Sequence, residues 1–359
     1  MKFKIITIIL SLLALINAES LKVVTINVWS GLDYIGNFKM GEYESQAVRE
    51  QRYHILVKQL KQLDPDVIAL NEANRLPRYA RRIAKDLGYD QVHHLGVAGI
   101  HFGPIGLPIN LREGDVILAK KALKLKSAGR KQLSGGYVGK FFTFHFADAT
   151  QVVGATIELN GMRIYIFNTH WHASQFANRE MLTKFTTQYL EGELLGSEYL
   201  NLVNDAITGK EWRLSEARKM VAFINQIAGD NPVILMGDFN DLSDSEPIGI
   251  VLQTGFIDTY PAVNPDPTEG LAGPGYTWDE LLNTNIQTHY QTSLLPTIGE
   301  GWQEEKPTAD IRRDRIDYIF ARGDELKIKA SKVAMNQLEN NLHPSDHFGV
   351  TTIFEVNER

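Results

Sequence analysis

A carboxylate and a carboxamide follow an apolar, strand-like run near the middle of the second half of the chain. The run Pro-Val-Ile-Leu-Met-Gly is followed by Asp238 and Asn240 with one apolar residue between them. Side chains two apart on extended backbone project to the same side. Asp238 could therefore align a water molecule while Asn240 donates to a phosphoryl oxygen. An Asp/Asn turn that only caps the strand is the alternative. An EF-hand is excluded, because Leu242 and Ser243 stand where such a loop needs a ligand and a glycine.

Two histidines follow another predicted strand, in Asn168-Thr-His170-Trp-His172. This spacing could offer two imidazole ligands to zinc. However, the sequence continues with Ala-Ser-Gln-Phe rather than with the Asp-His pair that a binuclear zinc hydrolase would carry. We therefore expect His170 to direct one imidazole at a phosphate or leaving-group oxygen, with His172 pointing elsewhere or lining the pocket. A structural role for both histidines is the alternative.

The third candidate group combines Asp317, inside the apolar run Arg-Ile-Asp-Tyr-Ile-Phe, with the pair Asp346-His347 before a final strand. A buried acid is costly unless it is paired, and a histidine needs a partner to fix its tautomer and raise its pKa. Asp317 and His347 would satisfy each other. A core ion pair of Asp317 with Arg313 or Arg315 is the alternative.

Asn27 and Glu72 end the first two predicted strands, and a parallel pattern would bring them to the same sheet edge. Carboxylate, carboxamide and water oxygens are the ligands typical of magnesium. The chain has no cysteine, so any metal must be held by oxygen or imidazole.

The elements that must position these residues alternate between strand-like and helix-like runs. Strands are predicted at residues 21–28, 66–72, 116–119, 151–158, 162–168, 233–236, 316–321 and 348–354, and helices over 45–63 and most of 173–230. No repeat, linker or abrupt change in composition divides the chain, and 43% hydrophobic with 22% charged residues is typical of a globular protein. We expect a layered α/β protein in which residues 19–359 form one domain.

Two segments depart from this alternation. Residues 96–111 are rich in Gly and Pro yet apolar, which predicts an irregular loop that either packs on itself or offers an apolar surface. Residues 261–310 carry Asn-Pro-Asp-Pro, Gly-Pro-Gly and a Thr/Asn/Gln-rich run, which predicts a long irregular excursion.

The first eighteen residues are typical of a secretory signal peptide. Lys2 and Lys4 precede an apolar run over residues 5–16, which is too short to span a bilayer and is soon followed by the small Ala18. An uncleaved anchor is the alternative. The whole chain has 37 basic and 43 acidic side chains, so removal of the two lysines leaves a net charge of −8. A general basic field for nucleic acid is therefore absent. We expect a secreted or periplasmic protein.

The order of the motifs resembles the endonuclease/exonuclease/phosphatase superfamily. The matching segments are TINVWSG, ALNEAN, NTHWHA, GDFN, RIDYIF and SDH, which run from about residue 21 to 355. The resemblance implies a four-layer α/β/β/α sandwich, two packed mixed sheets flanked by helices, with one divalent-metal site at the sheet edges. It implies that Glu72 binds the metal with Asn27 and Asp346 nearby. The remaining implied roles are water activation by Asp238 and His347, orientation of His347 by Asp317, and phosphate binding by His170 and Asn240.

Within the superfamily, the segments HWHAS, LSEARKMVAFI, GDFN and GYTWD are most similar to the neutral sphingomyelinase branch. The chain departs from that branch in a longer insert between His172 and Ser215, and in Glu113-Gly-Asp115, where relatives often carry Gly-Asn. We expect an enzyme that uses Mg²⁺, or Mn²⁺, to hydrolyse a phospholipid headgroup diester at a membrane surface by in-line attack of water. The alternatives are a secreted deoxyribonuclease-like nuclease and, more remotely, a binding protein without catalysis. The sequence indicates no oligomeric state.

Overall fold

The computed structural model describes residues 19–34, 39–102, 105–134, 137–138, 143–144, 150–265, 274–293 and 311–357. The strands are β1 (Glu19–Asn27), β2 (Val67–Asn71), β3 (Tyr89–Phe102), β4 (Ile105–Lys120), β5 (Lys126–Gln132), β6 (Tyr137–Val138), β7 (Thr143–Phe144), β8 (Gln151–Leu159), β9 (Met162–His170), β10 (Val233–Asp238), β11 (Ile257–Asp258), β12 (Trp278–Asp279), β13 (Arg313–Asp314), β14 (Asp317–Arg322), β15 (Leu326–Ala334) and β16 (Gly349–Val356). The helices are α1 (Gln46–Leu63), α2 (Arg78–Leu87), α3 (Arg179–Leu190), α4 (Gly196–Ala228), α5 (Glu246–Leu252), α6 (Thr259–Val263) and α7 (Thr284–Ser293), with a 3-10 turn at Lys121–Leu123. Each predicted strand overlaps one of these strands.

Two six-stranded mixed sheets form the centre of the fold. Their strand orders are β15-β16-β1-β2-β4-β3 and β11-β14-β10-β9-β8-β5. The pairs β1/β2 and β9/β10 are parallel, and the other pairs within these two sheets are antiparallel. One parallel pair therefore lies near the middle of each sheet, and the carboxyl ends of its strands meet at one edge.

Alternation along the strands explains the layers. In β1, Val23 belongs to the cluster between the sheets, while Val24 belongs to the cluster that includes Leu56 of α1. On the second sheet, Ile166 faces the cluster between the sheets and Phe167 packs in the cluster that includes α4. Successive side chains of a strand point to opposite faces, so both sheets are covered on both faces. The predicted four-layer α/β/β/α sandwich is confirmed.

The prediction of an irregular loop at residues 96–111 is wrong. The segment belongs to the antiparallel pair of β3 and β4, and residues 103 and 104 lie outside the described residues. The strand pairing is irregular where these residues occur. Between the pairs Ala98–Arg112 and Ile100–Leu107, one residue of β3 lies opposite four residues of β4, and Pro108 is one of those four. Proline lacks the N–H that a regular ladder needs, and bulges accommodate it.

Of the predictions for the other long segments, one is confirmed and one is wrong in part. The predicted helical region over 173–230 is confirmed by α3 and α4. The predicted irregular excursion over 261–310 is wrong in part, because β12 and α7 lie inside it, while residues 266–273 and 294–310 lie outside the described residues. The predicted signal at residues 1–18 also lies outside them. No helix in the described part of the chain combines the length and hydropathy needed to cross a membrane.

Candidate active site

The parallel strands deliver three of the predicted residues to one edge. Asn27 ends β1, His170 ends β9 and Asp238 ends β10, while Glu72 follows β2 directly. His170 and Asp238 are cross-strand partners, and Asp238 is also the partner of Asp317 on β14. His170, Asp238 and Asp317 therefore form one row across β9, β10 and β14, because the register of adjacent strands fixes which residues lie opposite one another.

The structure pairs Asp317 with His347. Nδ1 of His347 lies 2.8 Å from Oδ2 of Asp317, and the Asp317 side chain is completely buried. The backbone N–H of Asp317 donates to Oγ1 of Thr277, and the Trp278 ring meets the imidazole edge-on with centroids 5.1 Å apart. These contacts fix the ring plane and leave Nε2 toward Asp238, 3.8 Å from its Oδ2. Arg313 and Arg315 instead pair with Asp279 and Asp258.

Charge around the two histidines raises their pKa values. Burial alone lowers the pKa of His347, but Asp317 and then Asp238 raise it to about 10. Burial likewise lowers the pKa of His170, while Asp238 and Glu72 lead a group of carboxylates that raise it to about 9. Both imidazoles are therefore cations at neutral pH in the unliganded chain. Cations placed in this way are suited to contact phosphate oxygens.

Asp238 lies between these imidazoles and is buried. Its Oδ2 accepts a hydrogen bond from Nδ2 of Asn27 at 3.0 Å and lies 3.7 Å from Nε2 of His170. Its Oδ1 accepts from the backbone N–H of Asn240. Burial, followed by the charge of Asp317, raises the pKa of Asp238 above its ordinary value. A carboxylate with a raised pKa accepts a proton more readily, which suits a group that activates water.

Glu72 and Asn27 are in direct contact. Nδ2 of Asn27 donates to Oε1 of Glu72 at 2.9 Å, and the backbone N–H of Ser30 donates to Oε2 at 3.1 Å. The oxygen of Asn27 accepts from the backbone N–H of Trp29. In this arrangement Nδ2 of Asn27 bonds with both Glu72 and Asp238, and an amide nitrogen is not a metal ligand. That Asn27 lies close to a bound metal stays a prediction.

Asn240 and the two remaining candidates lie around the same cleft or behind it. Nδ2 of Asn240 donates to the carbonyl oxygen of Trp171, and both residues line the cleft. Asp346 also lines the cleft, and Oγ of Ser345 donates to its Oδ1. His172 instead packs on Trp212 of α4, with ring centroids 4.3 Å apart. His172 thus lies outside the row of His170, Asp238 and Asp317, in agreement with the prediction that it points elsewhere.

The cleft that joins these residues has a volume of about 590 Å³ and a strongly acidic wall. Its lining carboxylates are Glu72, Glu113, Asp115, Asp205, Asp238 and Asp346. Burial, then the charge of Glu72, raises the pKa of Glu113 to about 8, and burial leads the causes that raise the pKa of Asp346 to about 7 and that of Asp115 to about 6. Crowded carboxylates of this kind are neutralised by protons or by a divalent cation.

The donor set fits a hard divalent cation. Within the described residues, a compact group of potential ligands consists of Asp238, Asp317 and His347, whose ligand atoms lie within 4.8 Å of one another. That group is buried, and His347 already bonds with Asp317. Glu72, whose side chain is 18% exposed and lines the cleft, is better placed to meet an ion that enters from solvent. The wall of oxygen donors is the type that magnesium and manganese prefer.

Sequence reasoning missed the residue that joins the two sheets beneath the site. Oδ1 of Asn71 accepts the backbone N–H of Asp238, and its Nδ2 donates to Asp115 at 2.7 Å and to Oδ1 of Asn168 at 3.0 Å. Asn71 is completely buried. A polar residue inside the apolar run VIALN was the available signal, because buried amides need hydrogen-bond partners.

Two charged residues of α4 were also missed. Oε2 of Glu216 accepts the backbone N–H of His172 at 3.0 Å, and Nε of Arg213 donates to Asp241 at 3.0 Å. Both side chains are buried, and Arg213 also donates to the carbonyl oxygen of His172. Together they hold the segments that follow His170 and Asn240. Their helical sequence gave no indication of this, because charged residues in helices usually face solvent.

The model of the Endonuclease/Exonuclease/phosphatase family matches residues 24–347. Nocturnin from Drosophila melanogaster is 28% identical over 158 residues, which are 40% of this chain and 22% of the relative. The chain thus matches only about a fifth of the length of that curated relative.

Solved structures show the same fold. TDP2 from D. rerio, complexed with a single-strand DNA product, superposes with a TM-score of 0.57 at 17% identity and covers 94% of this chain and 99% of its own. An endonuclease/exonuclease/phosphatase from Bacteroides vulgatus has a TM-score of 0.56 at 14% identity and covers 94% and 100%. Members of this family act on phosphoester bonds, and they generally use divalent metals. With its family model matched from the first strand to His347, this chain belongs to the endonuclease/exonuclease/phosphatase family.

Proposed function

We propose that the chain is a secreted phosphodiesterase that uses Mg²⁺, with Mn²⁺ as a possible substitute, to cleave a phospholipid headgroup, sphingomyelin first. The observation that carries the reaction type is the row of His170, Asp238 and Asp317 with His347 bonded to its end. It places a buried base between two imidazoles at the edge of a cleft. Family membership supports phosphoester hydrolysis, and the donor set of the cleft supports the metal.

The residues of the row have separate tasks in the proposed reaction. Asp238, with its raised pKa, accepts a proton from the attacking water. Asp317 holds His347 in one orientation, and His347 directs Nε2 at the same water. His170, a cation at neutral pH, binds a phosphate oxygen, and Asn240 supplies an amide beside it. A divalent cation held by Glu72 would offset negative charge on the phosphate and on the departing oxygen.

The surroundings of the cleft support a lipid over a nucleic acid. Six carboxylates line it against three cationic side chains, those of His170, His347 and Arg312, and an excess of carboxylates is unfavourable for a polyanion. Gly96, Val97 and Leu111, at the base of the β3/β4 hairpin, form part of its wall. The hairpin beyond that base is apolar in sequence, so its outer part would rest in a membrane surface while the cleft faces the headgroups. Among its described side chains, Ile109 is 54% exposed and Leu111 is buried.

A substrate panel tests the proposal. Sphingomyelin vesicles, phosphatidylcholine vesicles, plasmid DNA, RNA and a chromogenic phosphomonoester are each incubated with the chain in magnesium and in excess chelator. We expect metal-dependent hydrolysis of sphingomyelin and little action on DNA. Rapid cleavage of plasmid DNA without action on lipid would support the nuclease alternative, and inactivity on every substrate would support a binding protein.

A hairpin variant tests the membrane contact. We expect Phe102→Ser with Leu107→Ser to reduce hydrolysis of vesicles steeply while turnover of a short-chain soluble diester and the melting temperature hold. Each fully buried apolar side chain contributes about 1.5–3 kcal/mol to such a contact. Leu338→Ser, at an exposed apolar residue outside the hairpin, is the matched control. Equal losses on both substrates, or a large fall in melting temperature, would mean that the hairpin packs as core.

Export is tested separately. If residues 1–18 are a signal peptide, amino-terminal sequencing of the protein recovered outside the cell begins at about residue 19. Recovery of the protein with Met1 in the membrane fraction would indicate the uncleaved anchor instead.

A further inference from the structure

A second cavity, of about 180 Å³, lies beside the active-site cleft and is lined by five arginines. We call this cavity the arginine pocket; its arginines are Arg49, Arg52, Arg75, Arg78 and Arg82. It shares two wall residues, Trp29 and Glu72, with the cleft. Its other lining carboxylate is Glu50, so positive side chains outnumber negative ones in its wall.

Two of the five arginines form double hydrogen bonds with glutamate side chains. The guanidinium of Arg52 forms a double hydrogen bond with Glu44 and also donates to the carbonyl oxygens of Val28 and Pro344. Arg82 forms a double hydrogen bond with Glu50. These two arginines form part of the wall of the pocket, and each has its charge paired with a glutamate.

The charges of the other three arginines are paired less closely, and Arg49 has buried donors without an acceptor. Nε and Nη2 of Arg49 are buried without a hydrogen-bond acceptor among the described residues. The carboxylates nearest to them, on Glu44 and Glu42, lie 3.6 Å away. Arg75 and Arg78 are exposed; Arg75 lies 3.7 Å from Glu42, and Arg78 has no ion pair among the described residues. Buried donors on a charged group are costly to leave unpaired, so a ligand that accepts from them is favoured.

We propose that the arginine pocket binds an oxyanion of the phosphate type. The planar guanidinium presents two parallel N–H groups that match two oxygens of a phosphate. Arg49 lies in the first turn of α1, where the helix dipole also favours negative charge. The cleft next to it is lined by six carboxylates as well as by His170, His347 and Arg312, so the arginine pocket has the larger share of positive side chains.

The shared wall suggests two sources for the oxyanion. It is either a second phosphate on a substrate whose diester occupies the cleft, or a separate anion such as free phosphate. The first source rests on the proposed function, whereas binding in the pocket does not. Ser30, which also lines the pocket, donates its backbone N–H to Glu72, so an occupied pocket adjoins the loop that holds the proposed metal ligand.

Binding is tested on the full chain in chelator, so that no turnover is needed. Inorganic phosphate is titrated at constant ionic strength while arginine Nε–H signals are followed by nuclear magnetic resonance. We expect the Arg49 and Arg75 signals to shift, and Arg49→Gln and Arg75→Gln each to weaken phosphate binding about tenfold or more. Arg81→Gln is the matched control, because Arg81 lies on α2 beside the pocket residue Arg78 but does not line the cavity.

Two further variants separate the pocket from the cleft and from misfolding. His170→Ala removes a cation of the cleft, so phosphate binding that remains in it belongs to the pocket. Arg49→Lys keeps the positive charge but loses the two parallel N–H groups of the guanidinium. We expect this variant to bind phosphate more weakly than the wild type but more tightly than Arg49→Gln, with an unchanged melting temperature. Binding that is lost in His170→Ala but not in the arginine variants would overturn the proposal, as would equal weakening by Arg81→Gln.

A kinetic comparison with magnesium then identifies the source. Two soluble diesters are compared, one of which carries an additional phosphomonoester. A rise in KM for that substrate alone in Arg75→Gln supports a second group on the substrate. A change in turnover of the plain diester on addition of inorganic phosphate, abolished by Arg75→Gln, supports a separate anion. If neither diester is hydrolysed while phosphate binding persists, the proposed function fails and the pocket stands.

Discussion

The pairing of Asp317 with His347 makes a quantitative prediction about proton affinity. Asp317→Asn keeps the size and the hydrogen-bond acceptor but removes the charge that lies 2.8 Å from Nδ1. A hydrogen bond to a charged group contributes about 1.5–3 kcal/mol, and one pKa unit corresponds to about 1.4 kcal/mol. The substitution should therefore lower the pKa of His347, which is about 10 in the wild type, by about one to two units.

The assay is a titration of histidine side chains labelled with ¹³C at Cε1, followed by nuclear magnetic resonance in chelator. The His347 signal is identified by its loss in His347→Gln. His54, whose side chain is 68% exposed, is the internal control and should titrate identically in the variant and the wild type. A His347 pKa that does not change in Asp317→Asn would refute the reasoning, because the carboxylate would then not hold the imidazolium.

The same shift predicts how stability depends on pH. The folded pKa of His347 lies above its unfolded value of about 6.5, so its contribution to stability is fully present below that pH and is lost as the pH rises toward about 10. The free energy of unfolding of the wild type should therefore fall more between pH 7 and 10 than that of Asp317→Asn. Urea denaturation at several pH values measures the difference.

Three other predictions concern the reaction and the framework behind it. Asp317→Ala and His347→Ala should each reduce kcat about a hundredfold or more, and the double variant should be little worse than the worse single one, since both remove one function; multiplicative losses in kinetic assays would show separate roles. Glu72→Gln should weaken the metal dependence of activity while the melting temperature holds, in contrast to Glu339→Gln at the surface. Activity that persists in excess chelator would contradict it. Arg213→Ala leaves the carboxylate of Asp241 buried without its partner, so denaturation should show a loss of about 3–5 kcal/mol, and a loss below 1 kcal/mol would mean that water replaces the guanidinium.

The strands and their polar ends were predictable because they depend on local pattern. Short apolar runs identified β1 and β10, and the polar residue at each strand end identified Asn27 and Asp238. The order of the motifs then provided the architecture. These signals lie within a few residues of one another along the chain, which is the range over which a sequence pattern can be interpreted.

The contacts that support the site were not predictable in the same way. Asn71 reaches Asp238 across the space between two sheets, and Thr277 caps the backbone at Asp317 from a segment interpreted as irregular. Such contacts depend on sequence-distant partners, so no local pattern indicates them. The hairpin at residues 96–111 was missed for a different reason, because Gly and Pro disfavour a strand until bulges accommodate them.

The position of β1 has a consequence for when the site is assembled during synthesis. β1 pairs with β2 on one side and with β16 on the other, so the first strand of the first sheet stays half unpaired until the last strand has been made. His347 also comes only two residues before β16. A growing chain on the ribosome therefore carries Asn27 and Glu72 long before it carries His347. The row of His170, Asp238, Asp317 and His347 is therefore complete only when the last part of the chain has been made, and a fragment that ends before β16 lacks a partner for β1.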